Sequence, residues 1–345
     1  MLDGKRILVE NSPGIGDLIM LTPVLREIKN KYPKCILTVA SKNRNSLIAI
    51  ERIPYVDAVC PLENKFSDTL RASLSIAKQD YIILCEYRPC VMLWARFCGV
   101  KHRTGNCKKK YYYSGLMTHP LPRSNEEHFG QYKTDFLAEV LSVGIDEEIH
   151  IYDYQCDVSL PTEAEKQSFH ERLRQQGCDN DKYVVLSPFA NSEVGLRMDT
   201  VSVILQFLAN HGYATVITGP KNDALTAWLA SHDTKSAYNL CGMTTLMEMI
   251  AGVSDAAALL AVESGPMHIG AALKKPNISF FTSGKKATWK PRLHCHDISL
   301  NLDCAQPCIV PEQGKASCPH KKCADFPTAY VQESLDEAMQ DYGLI

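Results

Sequence analysis

Three observations predict an α/β fold built as two successive halves. Short β-branched runs alternate with amphipathic stretches along the 345 residues, which is the βαβα rhythm of a parallel sheet covered on both faces. The rhythm fades near residues 155–160 and then restarts. The length suits two domains of ordinary size, each able to bury its own core.

The first half opens with the strand-like run "RILVE" (6–10), a helical stretch at 18–32, "ILTVA" (36–40), another helical stretch and "YIILC" (81–85). A loop-rich segment of about 100–125 follows, then a helix within "HFGQYKTDFLAEVLSVG" (128–144). Order fades through "IDEEIHIYDYQCDVSLPTEAEK" (145–166), which divides the chain into domains 1–157 and 158–345. The second half reads "YVVLSP", helix 200–211, "ATVITG", helix 223–232, "AYNLCG", helix 245–252, "AAALLAV", helix 267–273 and "NISFF". The final stretch, "YVQESLDEAMQDYGLI", predicts an amphipathic surface helix too acidic on one side to be buried all round.

Charged residues make up 22% of the chain and the formal net charge is −2, so bulk charge marks neither a polyanion binder nor a disordered acidic tail. No apolar run approaches the roughly 20 residues of a membrane span, and "MLDGKRILVE" enters a strand without a signal-peptide core. A cytoplasmic protein is the expectation. Of fourteen cysteines, ten are scattered, many in apolar runs such as "ARFCGV", where a reduced thiol behaves as a small hydrophobe. The other four cluster at 304–323.

The stretch "NSPGIGDLIMLTPVLREIKNKYP" (11–33) carries a glycine-rich turn into a helix. It is no dinucleotide fingerprint: the third glycine position is Ile19, and the second strand ends "TVASKNRN" instead of in an acid. No P-loop motif occurs anywhere. The turn offers a carboxylate instead, Asp17, which the positive end of the helix keeps ionised and oriented. Such a group suits accepting a proton, and an aspartate there also suits capping the helix. In the second half, "GMTTLMEMIAGVSDAAALLAVESGPMHIGAALKKPNISFF" (242–281) has a strand ending in a polar, glycine-containing turn that starts a short helix, a geometry that presents N–H groups to an anion.

On "GIGDLIMLTPVLREIKNKYP", "TGPKND" (218–223) and "LLAVESGPMHIGAAL" (259–273), in that order, the chain resembles glycosyltransferase family 9, the bacterial heptosyltransferases. The resemblance covers most of the chain. It implies a GT-B fold, two facing Rossmann-like domains with the active site in the cleft, and inverting transfer of a sugar, most often heptose from ADP-heptose, to an acceptor hydroxyl. The acceptor is then a glycolipid, glycan or protein bound by the first domain, and the donor is bound by the second. Asp17 occupies the position of the family's base, with Gly14 and Gly16 allowing close approach. Arg197 and the helix start at Ser264–Gly265 are the implied donors to the leaving pyrophosphate, where charge builds in the transition state. The family's Asp-Ser/Thr-Gly-Pro/Leu-x-His pattern here reads Glu263, Ser264, Gly265, Pro266, Met267, His268, so a glutamate replaces the usual aspartate. Arg197, in "FANSEVGLRMDT", stands where the family has lysine followed by Trp-Pro. His268 is implied to bond donor phosphate or hydroxyls, Gly219 and Asp223 to lie near the ribose, and Met243 and Thr244 to border the base.

Residues 101–123 hold six Lys/Arg and no acid, with Lys108–Lys110 beside Tyr111–Tyr113. Such a loop suits single-stranded nucleic acid by charge and stacking, or a phosphorylated glycolipid or bilayer surface; the family context favours the latter, with the enzyme peripheral to the inner membrane. Cys304, Cys308, Cys318 and Cys323 form C-x3-C-x9-C-x4-C, two short-spaced pairs able to surround one tetrahedral ion. Family relatives carry similar tails, some holding iron, so a structural zinc or iron is expected while the chemistry itself requires no cofactor. Departures at Arg197 and Glu263 leave a second reading, a nucleotide-sugar-binding or scaffold protein whose catalysis has decayed.

Overall fold

The structure is a computed structural model. It describes residues 2–11, 14–62, 72–85, 88–106, 114–121, 131–180, 182–190, 194–232, 234, 236–283, 285–302, 309–310, 315–316 and 321–345. The chain divides into two compact units, Met1–Ser159 and Leu160–Ile345.

The first unit holds strands β1 (Arg6–Glu10), β2 (Ile36–Ser41), β3 (Ala58–Pro61), β4 (Tyr81–Leu84), β5 (His102–Asn106) and β6 (His119–Leu121) in one parallel sheet, ordered β3-β2-β1-β4-β5-β6. The chain winds outward from β1 in one direction and then returns to wind from β4 in the other. The switch point of the sheet therefore lies between β1 and β4, where their carboxyl ends open a crevice. Helix α1 (Ile15–Lys31) follows β1, and the short α2 (Arg44–Leu47) follows β2. Helices α3 (Ser73–Ala77) and α4 (Pro89–Phe97) share a core with Leu8, Ala40, Ile82 and Leu84 on one face of the sheet. Helix α5 (Lys133–Ile145) packs on α1 at the other face, where Gly144 lies so close that a Cβ there would meet Ile83 Cδ1 at 2.6 Å.

Helix α1 begins three residues before the predicted start and continues through Pro23. A proline inside a helix leaves the carbonyl four residues back without its N–H partner. Here that carbonyl belongs to Ile19, and Thr22 Oγ1 donates to it at 2.7 Å. The same Thr22 oxygen accepts from the Asp157 N–H at 2.8 Å, which joins the helix to the segment that leads out of the unit.

The second unit repeats the plan with β7 (Tyr183–Ser187), β8 (Ala214–Ile217), β9 (Ala237–Asn239), β10 (Ala258–Val262), β11 (Asn277–Phe281) and β12 (His296–Ser299), ordered β12-β11-β10-β7-β8-β9 and all parallel. Its switch point lies between β7 and β10. Helices α6 (Glu163–Gln175), α7 (Met198–Asn210), α8 (Asp223–Ser231), α9 (Leu246–Asp255), α10 (Gly265–Ala272), α11 (Lys286–Trp289) and α12 (Thr328–Asp341) complete it. Capping boxes at Thr162 with Glu165 and at Thr245 with Glu248 fix the starts of α6 and α9. The terminal helix buries Val331, Leu335, Ala338 and Met339 and packs on α7, so its acidic residues lie on the outer side as expected. A two-stranded antiparallel ladder, β13 (Ile309–Val310) with β14 (Lys315–Ala316), stands in the cysteine-bearing segment.

Candidate active site

The first set of candidate residues gathers at the switch point of the first sheet. Strand β1 ends in Glu10, wholly buried and ion-paired to Arg88, the residue that leads into α4. Next comes Asn11, also buried, whose Nδ2 donates to the Asp17 carbonyl at 2.8 Å. The N-cap of α1 is Gly14, and no side chain caps the helix. Asp17 therefore lies in the first turn without serving as its cap, which sets aside the capping role that the sequence left open.

Two features decide where the Asp17 carboxylate sits. A Cβ on Gly14 would come within 2.5 Å of Asp17 Oδ2, so the carboxylate fills the space that glycine leaves. On its other side Lys133 Nζ, at the start of α5, lies 3.4 Å from Oδ1. Thr134 Oγ1 donates to the Met20 carbonyl at 3.0 Å and locks the start of α5 against α1, which fixes that lysine in place. Both the carboxylate and the ammonium keep about one-sixth of their side-chain surface exposed, at 16% and 17%. They reach solvent. Gly16 is buried in the same turn.

In the second unit, Ser264, Gly265 and Pro266 form the start of α10 at the end of β10, with Ser264 as N-cap. The Ser264 hydroxyl donates to the Val262 carbonyl at 3.1 Å instead of capping, so the N–H end of α10 is left to other acceptors. Two of the candidate residues are buried here. Glu263 is 4% exposed and both its oxygens accept from the Thr282 N–H at 2.9 Å, with Thr282 Oγ1 at 2.8 Å from Oε1. Its extra methylene carries the carboxylate to the neighbouring strand end, where it ties β10 to the residue that follows β11. His268 is buried, its Nδ1 has no hydrogen-bond partner among the described residues, and burial pushes its imidazole down to about 4. A neutral ring of this kind can bond a hydroxyl or phosphate oxygen but supplies no positive charge to it.

Thr282 extends this network. Its Oγ1 lies 2.6 Å from the Val194 carbonyl, and Ser283 Oγ accepts from the Val194 N–H at 3.2 Å. Three residues on is Arg197, the N-cap of α7, whose loop folds back so that Leu196 N–H reaches the Pro188 carbonyl at 2.9 Å. The Arg197 side chain is about half exposed and its Nε lies 2.5 Å from Asp325 Oδ1. The guanidinium expected to face a pyrophosphate thus has an internal carboxylate partner.

Gly219 follows β8, and its carbonyl accepts from Gly242 N–H at 2.8 Å, which brings it beside the loop of Met243 and Thr244. Gly242 has φ +73, and a Cβ there would meet Lys221 Cβ at 2.8 Å, so these two loops touch along their backbones. Met243 is exposed and Thr244 half-buried. Asp223 opens α8 with its side chain 83% exposed and 3.3 Å from Lys221 Nζ. A shallow pocket lined by His170, Leu173, Cys178 and Tyr183 lies at the start of β7, the opposite end of that strand from the Arg197 loop.

Cys304, Cys308 and Cys318 lie outside the described residues, as does the lysine-tyrosine run 108–113. Cys323 is buried and packs with Val194, Ala324 and Leu302. Among the described residues no group of three or more His, Cys, Asp or Glu is placed to hold a metal. No described helix is long and apolar enough to cross a membrane.

A model of glycosyltransferase family 9 (heptosyltransferase) matches residues 93–316, well over half of the chain. The chain belongs to glycosyltransferase family 9. It is a glycosyltransferase, and its two parallel-sheet domains have the GT-B fold of heptosyltransferase structures. It is 24% identical over 291 residues to lipopolysaccharide heptosyltransferase 3 of Escherichia coli (strain K12), covering 80% of this chain and 82% of that one. A glycosyl transferase family 9 protein from Veillonella parvula DSM 2008 superposes with a TM-score of 0.79 at 16% identity, covering 99% of both chains. The E. coli ADP-heptose LPS heptosyltransferase II does so with a TM-score of 0.72 at 19% identity, covering 98% of this chain and 99% of that one.

Sequence reasoning missed Glu10, Arg88, Lys133 and Thr282. A carboxylate closing the apolar run "RILVE" was a legible signal, since a charge at the buried end of a strand requires a partner. Nothing in the sequence links Lys133 to Asp17 across the long stretch of chain between them.

Proposed function

We propose that this glycosyltransferase moves a heptose from ADP-heptose, with inversion, onto a hydroxyl of an anionic glycolipid of the lipopolysaccharide type. The acceptor is bound by the first unit and the nucleotide sugar mainly by the second. The observation that carries the reading is Asp17, a carboxylate at a sheet switch point, seated by Gly14 and Lys133 and unused as a cap. In the transfer, the acceptor oxygen attacks the anomeric carbon, its proton passes to Asp17, and the bond from that carbon to the ADP oxygen breaks with its electrons going to the leaving diphosphate. The half-buried start of α10 and Arg197 are the groups suited to the charge that gathers there. The lipopolysaccharide heptosyltransferase similar over four-fifths of the chain supports heptose and this acceptor class.

Incubation with ADP-heptose and a truncated lipopolysaccharide core should release ADP and add the mass of one heptose to the acceptor. Binding of ADP-heptose without turnover on a panel of cores would favour the second reading, a nucleotide-sugar-binding protein. The Arg197–Asp325 pair and the engagement of Glu263 by Thr282 are the observations on that side.

For the cysteine segment, the reading is one structural zinc or iron held by Cys304, Cys308, Cys318 and Cys323. Ile309 and Ala316 face each other across the β13–β14 ladder, and they are the near sequence neighbours of Cys308 and Cys318. Metal analysis of untagged protein should find about one ion per chain, lost in a Cys318→Ser, Cys323→Ser double variant.

A further inference from the structure

Arg197 stands on a loop gripped from three sides. At the exit of β7, Leu196 N–H reaches the Pro188 carbonyl, and a Cβ on Gly195 would meet that same oxygen at 2.9 Å, so a glycine lets the two backbones press together. Val194 packs against Cys323 and Ala324, the neighbours of Asp325, which pairs with Arg197. At the exit of β11, Ser283 Oγ accepts from the Val194 N–H at 3.2 Å and Thr282 Oγ1 lies 2.6 Å from the Val194 carbonyl. Both backbone groups of Val194 are therefore taken, and Val194, Thr282 and Ser283 are all buried. Only Gly195 and Leu196 separate Val194 from Arg197, so the hold on Val194 decides where the guanidinium starts from.

Glu263 in turn holds Thr282. In the β10–β11 register Val262 stands opposite Phe280, and the Glu263 N–H still reaches the Phe280 carbonyl at 3.2 Å, so Thr282 lies just past the end of the ladder. The Glu263 carboxylate supplies the acceptor that the ladder no longer offers, taking the Thr282 N–H on both oxygens at 2.9 Å. Its Oε1 also lies 2.8 Å from Thr282 Oγ1. That hydroxyl has a single proton for two acceptors, Glu263 and the Val194 carbonyl, so one oxygen atom couples the carboxylate to the loop. An aspartate at 263 would withdraw the carboxylate by a methylene and leave the buried Thr282 N–H without its acceptor.

We infer that Glu263 and Thr282 are positioning residues for Arg197: through Val194 they fix the loop from which the guanidinium meets the diphosphate of the donor. The inference rests on the reading of Arg197 given above and adds to it the groups that decide how well Arg197 binds. It sets Glu263 to work on the diphosphate at second hand, through two residues, and not on the sugar. ADP, which carries no sugar, should then feel the loss of Glu263 as much as ADP-heptose does.

The test is titration calorimetry of the full chain with ADP and with ADP-heptose. Glu263→Asp and Thr282→Val should each weaken ADP by about tenfold and ADP-heptose by the same factor, while Thr282→Ser, which keeps the hydroxyl, stays within about threefold of the parent. Thr282→Val matches threonine in shape and carries the test if Glu263→Asp fails to fold. In an Arg197→Ala background the same changes should shift ADP affinity by no more than about twofold, because the group they position is gone. A loss confined to ADP-heptose would make Glu263 a contact of the sugar and overturn the proposal. Losses of about tenfold that persist in the Arg197→Ala background overturn it too, since they mark damage that does not pass through Arg197. Parent-like ADP affinity in Glu263→Asp and Thr282→Val has the same force. Arg197→Ala alone checks the reading beneath: if it binds ADP as the parent does, Arg197 leaves the donor site and the proposal falls with it.

Discussion

Asp17 works within a narrow allowance, because Gly14 on one side and Lys133 on the other leave its carboxylate one place to be. Asp17→Asn keeps the shape and removes the proton acceptor; kcat should fall by about 10²-fold or more with ADP-heptose affinity nearly unchanged. Turnover within about threefold of the parent would remove Asp17 from the chemistry. Gly14→Ala places a methyl 2.5 Å from Oδ2 and pushes the carboxylate aside, so turnover should fall at least about tenfold with little loss of melting temperature. Lys133→Met should lower kcat more than it changes the KM for donor, and Lys133→Arg should restore much of it; equal loss in both variants would point to packing alone. At these positions the sequence was only half legible. The glycine-rich turn and its aspartate are local and could be read directly. The lysine beside them comes from a helix whose approach is set by the Thr134–Met20 bond, a tertiary contact that no spacing encodes.

Strand ends and the helices that follow them hold the rest of the candidate site, and here expectation and structure part for physical reasons. Alternating β-branched runs announced β1, β2, β4, β7, β8, β10 and β11 well because these strands are buried on both faces, whereas β3 and β12, more exposed at the sheet edges, went unread. Helix starts were less legible: α1 begins at Ile15 since a glycine N-cap leaves no polar signature. Arg197 was expected to meet the leaving pyrophosphate, and the chain returns more than a hundred residues later to give it Asp325. If the pair holds Arg197 in reserve, Asp325→Asn should bind ADP at least as tightly as the parent, whereas Arg197→Ala should bind it more weakly. Titration calorimetry of both variants decides this, and equal affinity in all three proteins would take Arg197 out of the donor site. Packing between α6 and α9 makes a separate demand. A Cβ on Gly252 would lie 2.3 Å from Phe169 Cζ, so Gly252→Ala should destabilise the second unit by about 1–3 kcal/mol, read by denaturant unfolding.

Each unit has its own core, so protons and ligands can act on one without the other. His268 belongs to the second. Its folded imidazole titrates near 4 against an ordinary 6.5, so between those values the unfolded chain holds a proton that the native one does not. The stability it contributes is complete above 6.5 and is lost as the pH falls toward 4, amounting to about 2 kcal/mol by pH 5. The transition of the second unit should therefore drop in melting temperature on acidification, and His268→Gln should flatten that drop. An unchanged slope in the variant would show that the ring is not held neutral. The two-domain plan was legible because a rhythm that stops and restarts is a property of the whole sequence. The join between the halves was legible only as a loss of pattern.

That join is where the backbone of the first unit ends under tight restraint. Arg26 on α1 donates from Nη1 to the Gln155 carbonyl and to Asp157 Oδ2 and from Nη2 to the Asp153 carbonyl. Tyr55 adds a 2.5 Å bond to Asp157, and Ser159 N–H reaches the Ala49 carbonyl at 2.7 Å. From Thr162 onward the capping box takes over. Only Leu160 and Pro161 lie between these two fixed stretches. Proline holds its own φ near −65° and steers the residue before it away from the helical region. The segment is thus moored to the first unit as far as Ser159 and to α6 from Thr162, and its slack is two residues long, one of them a proline.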